Sequence, residues 1–137
     1  MEIGCVLMAS GFGRRFGSNK LLLPVEGVPL VQRALTLYAG APFARRVVVS
    51  QYESILSLGR KAGFLPLPNL EAARGISASV TLGTRACMDL DGILFGVCDQ
   101  PWLTPESVNA LLEAFQSHPD RIYSLCYGER RGNPALF

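Results

Sequence analysis

The chain has little imidazole, indole or thiol chemistry to offer, with one histidine, one tryptophan and four cysteines. The cysteines, Cys5, Cys87, Cys98 and Cys126, are widely spaced. None forms a C-x-x-C pair, so zinc and dithiol motifs have no support. Cys5, Cys98 and Cys126 fall in expected strands and read as buried, reduced, small hydrophobes. His118 stands in Ser-His-Pro-Asp, just past an expected helix, and reads as a loop residue rather than a ligand. Charge of one sign is also scarce. The net charge is +2, and the basic residues are scattered apart from Arg14-Arg15, Arg45-Arg46 and Arg130-Arg131. That leaves no basic footprint for a nucleic-acid surface. No apolar run approaches the ~20 residues of a membrane span. The first eight residues are too short, and carry Glu2, for a signal peptide. A cytoplasmic protein with no membrane partner is the expectation. Internal repeats and low-complexity tracts are missing too.

What is present is enough for a core. Nearly half of the 137 residues are hydrophobic (49%), and the length suits one domain, residues 1–137.

The most informative stretch is Ala9-Ser10-Gly11-Phe12-Gly13-Arg14-Arg15-Phe16-Gly17-Ser18-Asn19-Lys20. It follows an apolar run, Ile3 to Met8, that reads as the first strand. Glycines let a backbone turn sharply and present its N–H groups to a ligand. Two arginines and a lysine follow closely, so the loop suits an anion, above all the phosphates of a nucleotide. It is not a P-loop, which needs Gly-Lys-Ser/Thr at its end. It is a poor dinucleotide fingerprint as well. Phe16 holds the position of the third glycine, Gly17 comes one residue late, and the second strand ends in Ser50-Gln51 rather than in an acid. The alternative is a flexible Gly/Arg turn after an edge strand.

The elements alternate. Strands are expected at 3–8, 46–49, 64–67, 93–97 and 121–126, with another starting at 134–137. Pro29 should open a helix to about Tyr38, with Leu30, Ala34, Leu37 and Tyr38 on one face. Further helices should run from Glu53 to Lys61 and from Gly75-Ile76-Ser77-Ala78-Ser79 to about Cys87. Thr104 should cap a fourth, with Pro105 at its first position and Glu106 in its first turn. Gly128 to Gly132 reads as a turn. Such alternation predicts a mostly parallel sheet with helices on both faces. Ligands of these folds bind beyond the carboxyl ends of the strands. The glycine loop after the first strand and Asp99 after the strand ending at Val97 should therefore share one edge.

Asp99 lies in Cys98-Asp99-Gln100-Pro101, at the end of an almost wholly apolar strand. It is either a turn-forming acid or a carboxylate that binds Mg²⁺ together with phosphate oxygens. Asp89 and Asp91 flank the other end of that strand and are expected to be solvated. A loop of N–H donors, a lysine and a metal carboxylate make a coherent triphosphate site. The matching chemistry is nucleotidyl transfer, in which an acceptor phosphate attacks the α-phosphorus and pyrophosphate leaves. It needs charge neutralisation and alignment more than covalent help.

On four segments the chain resembles the nucleotidyltransferase family that includes molybdenum cofactor cytidylyltransferase and accessory proteins of molybdenum hydroxylases. These are residues 8–24, Gly75-Ile76-Ser77-Ala78-Ser79, Cys98-Asp99-Gln100-Pro101-Trp102-Leu103-Thr104-Pro105, and Arg131-Gly132-Asn133-Pro134-Ala135-Leu136-Phe137. The resemblance implies a Rossmann-like three-layer α/β sandwich of the glycosyltransferase-A-like nucleotidyltransferase type. It implies transfer of CMP, or another nucleotide, from a Mg²⁺-bound triphosphate (CTP favoured) to molybdopterin, with a molybdenum hydroxylase as a possible downstream partner. By the same resemblance, Lys20, Arg15 and Asp99 are the catalytic residues, with Asp99 as metal ligand. Ala9, Ser10, Gly11, Gly13, Arg15, Lys20, Gly75, Ser77 and Ser79 bind the nucleotide. Gln100, Pro101, Arg131 and Asn133 face the acceptor. Gly13 departs from the serine common there, and Ser10 from a common alanine. The family domain extends further, so residues 1–137 are expected to lack its C-terminal part. The rival readings are a non-catalytic nucleotide- or cofactor-binding accessory protein and a sugar- or alcohol-phosphate nucleotidyltransferase.

Overall fold

A computed structural model describes residues 1–9, 22, 24–70, 76–100, 103–127 and 130–137. Strand β1 (Ile3–Met8) is buried along its whole length, which suits an apolar run at the centre of a sheet covered on both faces. Strands β2 (Pro24–Val25) and β3 (Val28–Pro29) form a small antiparallel hairpin. Its tip, Glu26-Gly27, has φ of 53° and 83°, the paired positive values of a two-residue hairpin turn. Helix α1 (Leu30–Ala39) starts one residue after the expected Pro29, because Pro29 closes β3. Its buried stripe is Val31, Ala34, Leu35 and Tyr38, whereas Leu30 and Leu37 are only half-buried.

Next come β4 (Arg45–Ser50), α2 (Glu53–Lys61), β5 (Leu65–Pro68), α3 (Ile76–Ala86) and β6 (Gly92–Val97). Helix α4 (Pro105–Ser117) follows, then β7 (Tyr123–Tyr127) and β8 (Arg130–Leu136). The main sheet has the order β5-β4-β1-β6-β8-β7. Strands β5, β4, β1 and β6 are parallel, and β8 runs antiparallel to both of its neighbours. The mostly parallel α/β sandwich expected from the sequence is therefore present. Among the described residues no helix is long and apolar enough to cross a membrane.

The alternation of side chains along each strand sorts the core into two layers. Cys5, Leu7, Val48 and Leu94 point to one face, where they pack with residues of α1, α2 and α4. Val6, Met8, Val47, Val49 and Phe95 point to the other, against Leu82, Ala86 and Cys87 at α3 and its end. Helix α3 approaches β1 so closely that a Cβ on Gly83 would overlap the Val6 side chain. Gly83→Ala should therefore destabilise the fold by about 1–3 kcal/mol, the usual cost of overpacking. Thermal or denaturant unfolding measures it, and unchanged stability would contradict this packing.

Helix α4 begins as the sequence predicts. The Thr104 side chain accepts a hydrogen bond from the Ser107 amide at 3.3 Å, and Pro105 and Glu106 occupy the first turn. Thr104→Ala should cost about 1 kcal/mol in a denaturant titration, the usual effect of losing such a cap. His118 is the C-cap of α4, a helix-terminal residue as expected.

The turn expected over Gly128 to Gly132 needs correction. Arg130 already pairs with Tyr127, so Arg131, Gly132 and Asn133 lie within strand β8. Their polar sequence hides the strand, which is fixed by pairing with β7 rather than by its own pattern. The β7–β8 register shifts there: Ser124 pairs with Ala135 but Leu125 with Gly132, which leaves Asn133 and Pro134 as extra residues. Proline cannot donate to a ladder, and a bulge is where an interior strand tolerates it.

Candidate active site

Strands β1 and β6 lie side by side, and their last paired residues are Met8 and Val97. The chain leaves β1 toward β4 through α1 on one face and reaches β6 through α3 on the other. This is a switch point, where open α/β sheets leave a crevice beyond the strand ends. Ala9 and Cys98 continue the two strands side by side, and the Cys98 thiol donates to the Met8 carbonyl at 3.8 Å. Asp99 is exposed at the same edge. The start of the glycine loop and the candidate metal carboxylate are thus neighbours, as the strand order requires. Ser10, Gly11, Gly13, Arg15, Lys20, Gly75 and Pro101 lie outside the described residues.

A line of buried polar groups underlies this edge; of its members the sequence singled out Ser79, as a nucleotide-binding residue, but not Ser50 or Asn69. Ser50 ends β4 with no exposed surface. Its hydroxyl donates to the Ala9 carbonyl at 2.8 Å and accepts from the Tyr52 amide at 3.1 Å. The Ser50 carbonyl in turn accepts from the Asn69 amide at 2.8 Å. Asn69, just past β5, is buried and donates through Nδ2 to the Ser79 hydroxyl at 3.2 Å. The ends of β1, β4 and β5 and the first turn of α3 are therefore joined by hydrogen bonds. For Ser50 the only sequence signal was negative: it stood where a dinucleotide site wants an acid.

Helix α3 brings Ser77 and Ser79 to this edge differently. Ser77 is exposed, and its carbonyl accepts from Thr81 Oγ1 at 2.9 Å. Ser79 is buried and held by Asn69. Between the end of β5 and α3 lies a cleft of ≈ 510 Å³, with Asn69, Ser77, Thr81 and Arg85 among its lining residues. The α3 N-terminus carries the positive end of the helix dipole, which favours an anion. On the other flank, Gln100 is half-buried and its carbonyl accepts from the Leu103 amide at 3.3 Å. Because β8 runs antiparallel to β6, its first residues, Arg131 and Asn133 included, arrive at the carboxyl end of β6.

The opposite edge of the sheet is structural. Asp89 accepts from both terminal nitrogens of Arg45, at 2.7 and 3.1 Å, and Asp91 accepts from the Glu2 amide at 2.6 Å. Both acids sit at the surface away from the crevice, as expected, though each has a partner. The Arg45 hydrogen bond holds the Asp89 carboxyl below the usual range. That contribution is present above the ordinary carboxylate pKa and is lost as pH falls through the lowered value.

Cys5, Cys87 and Cys98 are free and buried. Burial pushes the Cys98 thiol well above its ordinary range, and the Asp99 charge adds to it. It therefore stays a neutral thiol rather than a nucleophilic or metal-binding thiolate. Among the described residues, no group of three or more His, Cys, Asp or Glu side chains could hold a metal ion. Asp99 fits a Mg²⁺ ion that takes one or two carboxylates and completes its shell with substrate phosphates and water.

Comparison with known proteins adds to this geometry. The profile of the MobA-like NTP transferase domain matches residues 5–137. The chain belongs to that family. A molybdenum cofactor guanylyltransferase from Rhodobacter capsulatus is 31% identical over 86% of this chain and 62% of its own length. A nicotine blue oxidoreductase from Paenarthrobacter nicotinovorans is 31% identical over 96% of this chain and 68% of its own. Among solved structures, a nucleotidyl transferase from Methanothermobacter thermautotroptrophicus superposes with a TM-score of 0.76 at 25% identity, over 98% of this chain and 70% of its own. The chain thus spans about two thirds of the length of these relatives. By that membership it is an NTP transferase domain of the MobA-like class.

Proposed function

We propose that this domain transfers a nucleoside monophosphate from a metal-bound triphosphate to a terminal phosphate of molybdopterin, with release of pyrophosphate. The observation that carries this reading is the convergence of Ala9 and Asp99 at the β1–β6 switch point. The loop from Ala9 through Gly13 offers backbone N–H groups to the phosphates. Lys20 neutralises phosphate charge, and Arg15 holds the β- or γ-phosphate. Asp99 would hold Mg²⁺, which would supply charge neutralisation for the triphosphate and the departing pyrophosphate. Ser77 lies on the base and ribose side, with Gly75 in the preceding segment and Ser79 fixing the helix behind it. Gln100, Pro101, Arg131 and Asn133 bound the acceptor side. The protein side of catalysis is positioning and electrostatic stabilisation, with no covalent intermediate on the enzyme. A molybdenum hydroxylase would receive the product, and the cytoplasm is the setting that fits these substrates.

CTP is the expected donor on the resemblance of the four sequence segments. The guanylyltransferase relative favours GTP as the second reading. Pyrophosphate release measured with CTP, GTP and ATP in the presence of molybdopterin separates them. Release with one triphosphate, dependent on both Mg²⁺ and acceptor, is expected. Release with a sugar 1-phosphate in place of molybdopterin would move the domain to another acceptor class. Triphosphate binding without release in any combination would favour a non-catalytic accessory role.

A further inference from the structure

We infer that Ser50 is a positioning residue for Ala9, where the chain enters the proposed nucleotide site, an inference that rests on the triphosphate reading of this site. In the parallel pairing of β1 and β4, Met8 stands opposite Val49, and the Ala9 amide donates to the Val49 carbonyl at 2.8 Å. A continued ladder would next bring the Gln51 amide to the Ala9 carbonyl. The Ser50 hydroxyl supplies that bond instead, at 2.8 Å. This lets β4 end and turn into α2 while the last carbonyl of β1 stays satisfied, as a buried carbonyl must. The same oxygen accepts the Tyr52 amide at 3.1 Å, one residue before α2 begins.

Ala9 is consequently held on both sides, by its amide and by its carbonyl. A peptide group is planar, so fixing that carbonyl fixes the plane through which the chain enters the glycine loop. Ala9 is the first residue of the proposed nucleotide site, so holding it holds the described end of that site. Ser50 touches neither nucleotide nor metal in this arrangement and acts through Ala9. Its own surroundings are closed, since the residue is 0% exposed, so its hydroxyl is not a general acid or base.

The test compares Ser50→Ala, which removes the hydroxyl, with Ser50→Thr, which keeps it, and with Ser50→Cys, near-isosteric but a weak donor. Amide exchange is read in the nucleotide-free protein, with Val6 and Leu7 as internal standards for the stability of β1. Ser50→Ala should speed exchange of the Ala9 amide at least ~10-fold relative to those standards, as a local opening rather than a global one. It should also weaken Mg²⁺–triphosphate binding roughly tenfold, the scale of one buried hydrogen bond lost. Ser50→Thr should restore both. Should Ser50→Ala not fold, Ser50→Cys carries the comparison. A merely structural serine would speed exchange at Ala9, Val6 and Leu7 alike and leave affinity unchanged, which would overturn the inference. Altered exchange at Ala9 with unaltered affinity would also overturn it. If the unsubstituted protein binds no triphosphate, the proposed function fails, and the exchange ratio alone still decides whether Ser50 holds the loop entrance.

Discussion

Lys20→Ala should weaken triphosphate binding and lower turnover by about 10²-fold or more, the scale of losing one charge-stabilising group at a developing anion. The lysine closes a segment that opens with backbone donors and already carries Arg14 and Arg15. Its ammonium is a compact point charge, suited to phosphate oxygens that shift between ground and transition state. Lys20→Arg should therefore recover part of the binding and less of the turnover, because a planar fork fits that role poorly. Calorimetric titration with Mg²⁺–triphosphate, with pyrophosphate release alongside, reads both effects. An affinity unchanged in Lys20→Ala would remove Lys20 from the site and leave the loop without its principal cation.

Asp99→Asn should abolish the dependence of triphosphate binding on Mg²⁺ while leaving the fold intact. The change is isosteric and the residue is exposed, so stability should move by no more than about 0.5 kcal/mol. Metal ions stabilise transition-state charge by several kcal/mol, so losing the ligand should lower turnover by about 10²-fold or more. The two measurements separate the roles left open by the sequence. A turn-forming acid would lose stability on substitution and keep its metal response. A metal ligand would keep stability and lose that response. Retained Mg²⁺ dependence in Asp99→Asn would place the metal on other residues.

The parts of this fold that were legible in the sequence are those with a local cause. Strand β1 and helix α2 have the bounds expected from their apolar pattern. Thr104 caps α4 because Thr-Pro-Glu is a start signal complete in itself. The convergence of Ala9 and Asp99 followed from βα alternation and the rule for strand ends, and the described residues bear out that shared edge. What escaped depends on distant partners or on very short elements. Strands β2 and β3 are too short for any periodicity. The start of β8 is fixed by β7, so Arg130-Arg131-Gly132 looked like a turn. Ser50 and Asn69 are ordinary polar residues in sequence, and Ser79 was expected at the nucleotide rather than buried against Asn69. Their meaning appears only when three strand ends and a helix are brought together.

The central claim is a Mg²⁺-dependent triphosphate site at the β1–β6 edge. Thermal shifts of this chain with CTP, GTP and ATP, each with and without Mg²⁺, test it most directly. Ligands that bind only the folded state raise the midpoint by mass action. The account predicts stabilisation by one triphosphate above the others, present with Mg²⁺ and lost without it. Equal or absent shifts across all six conditions would contradict it.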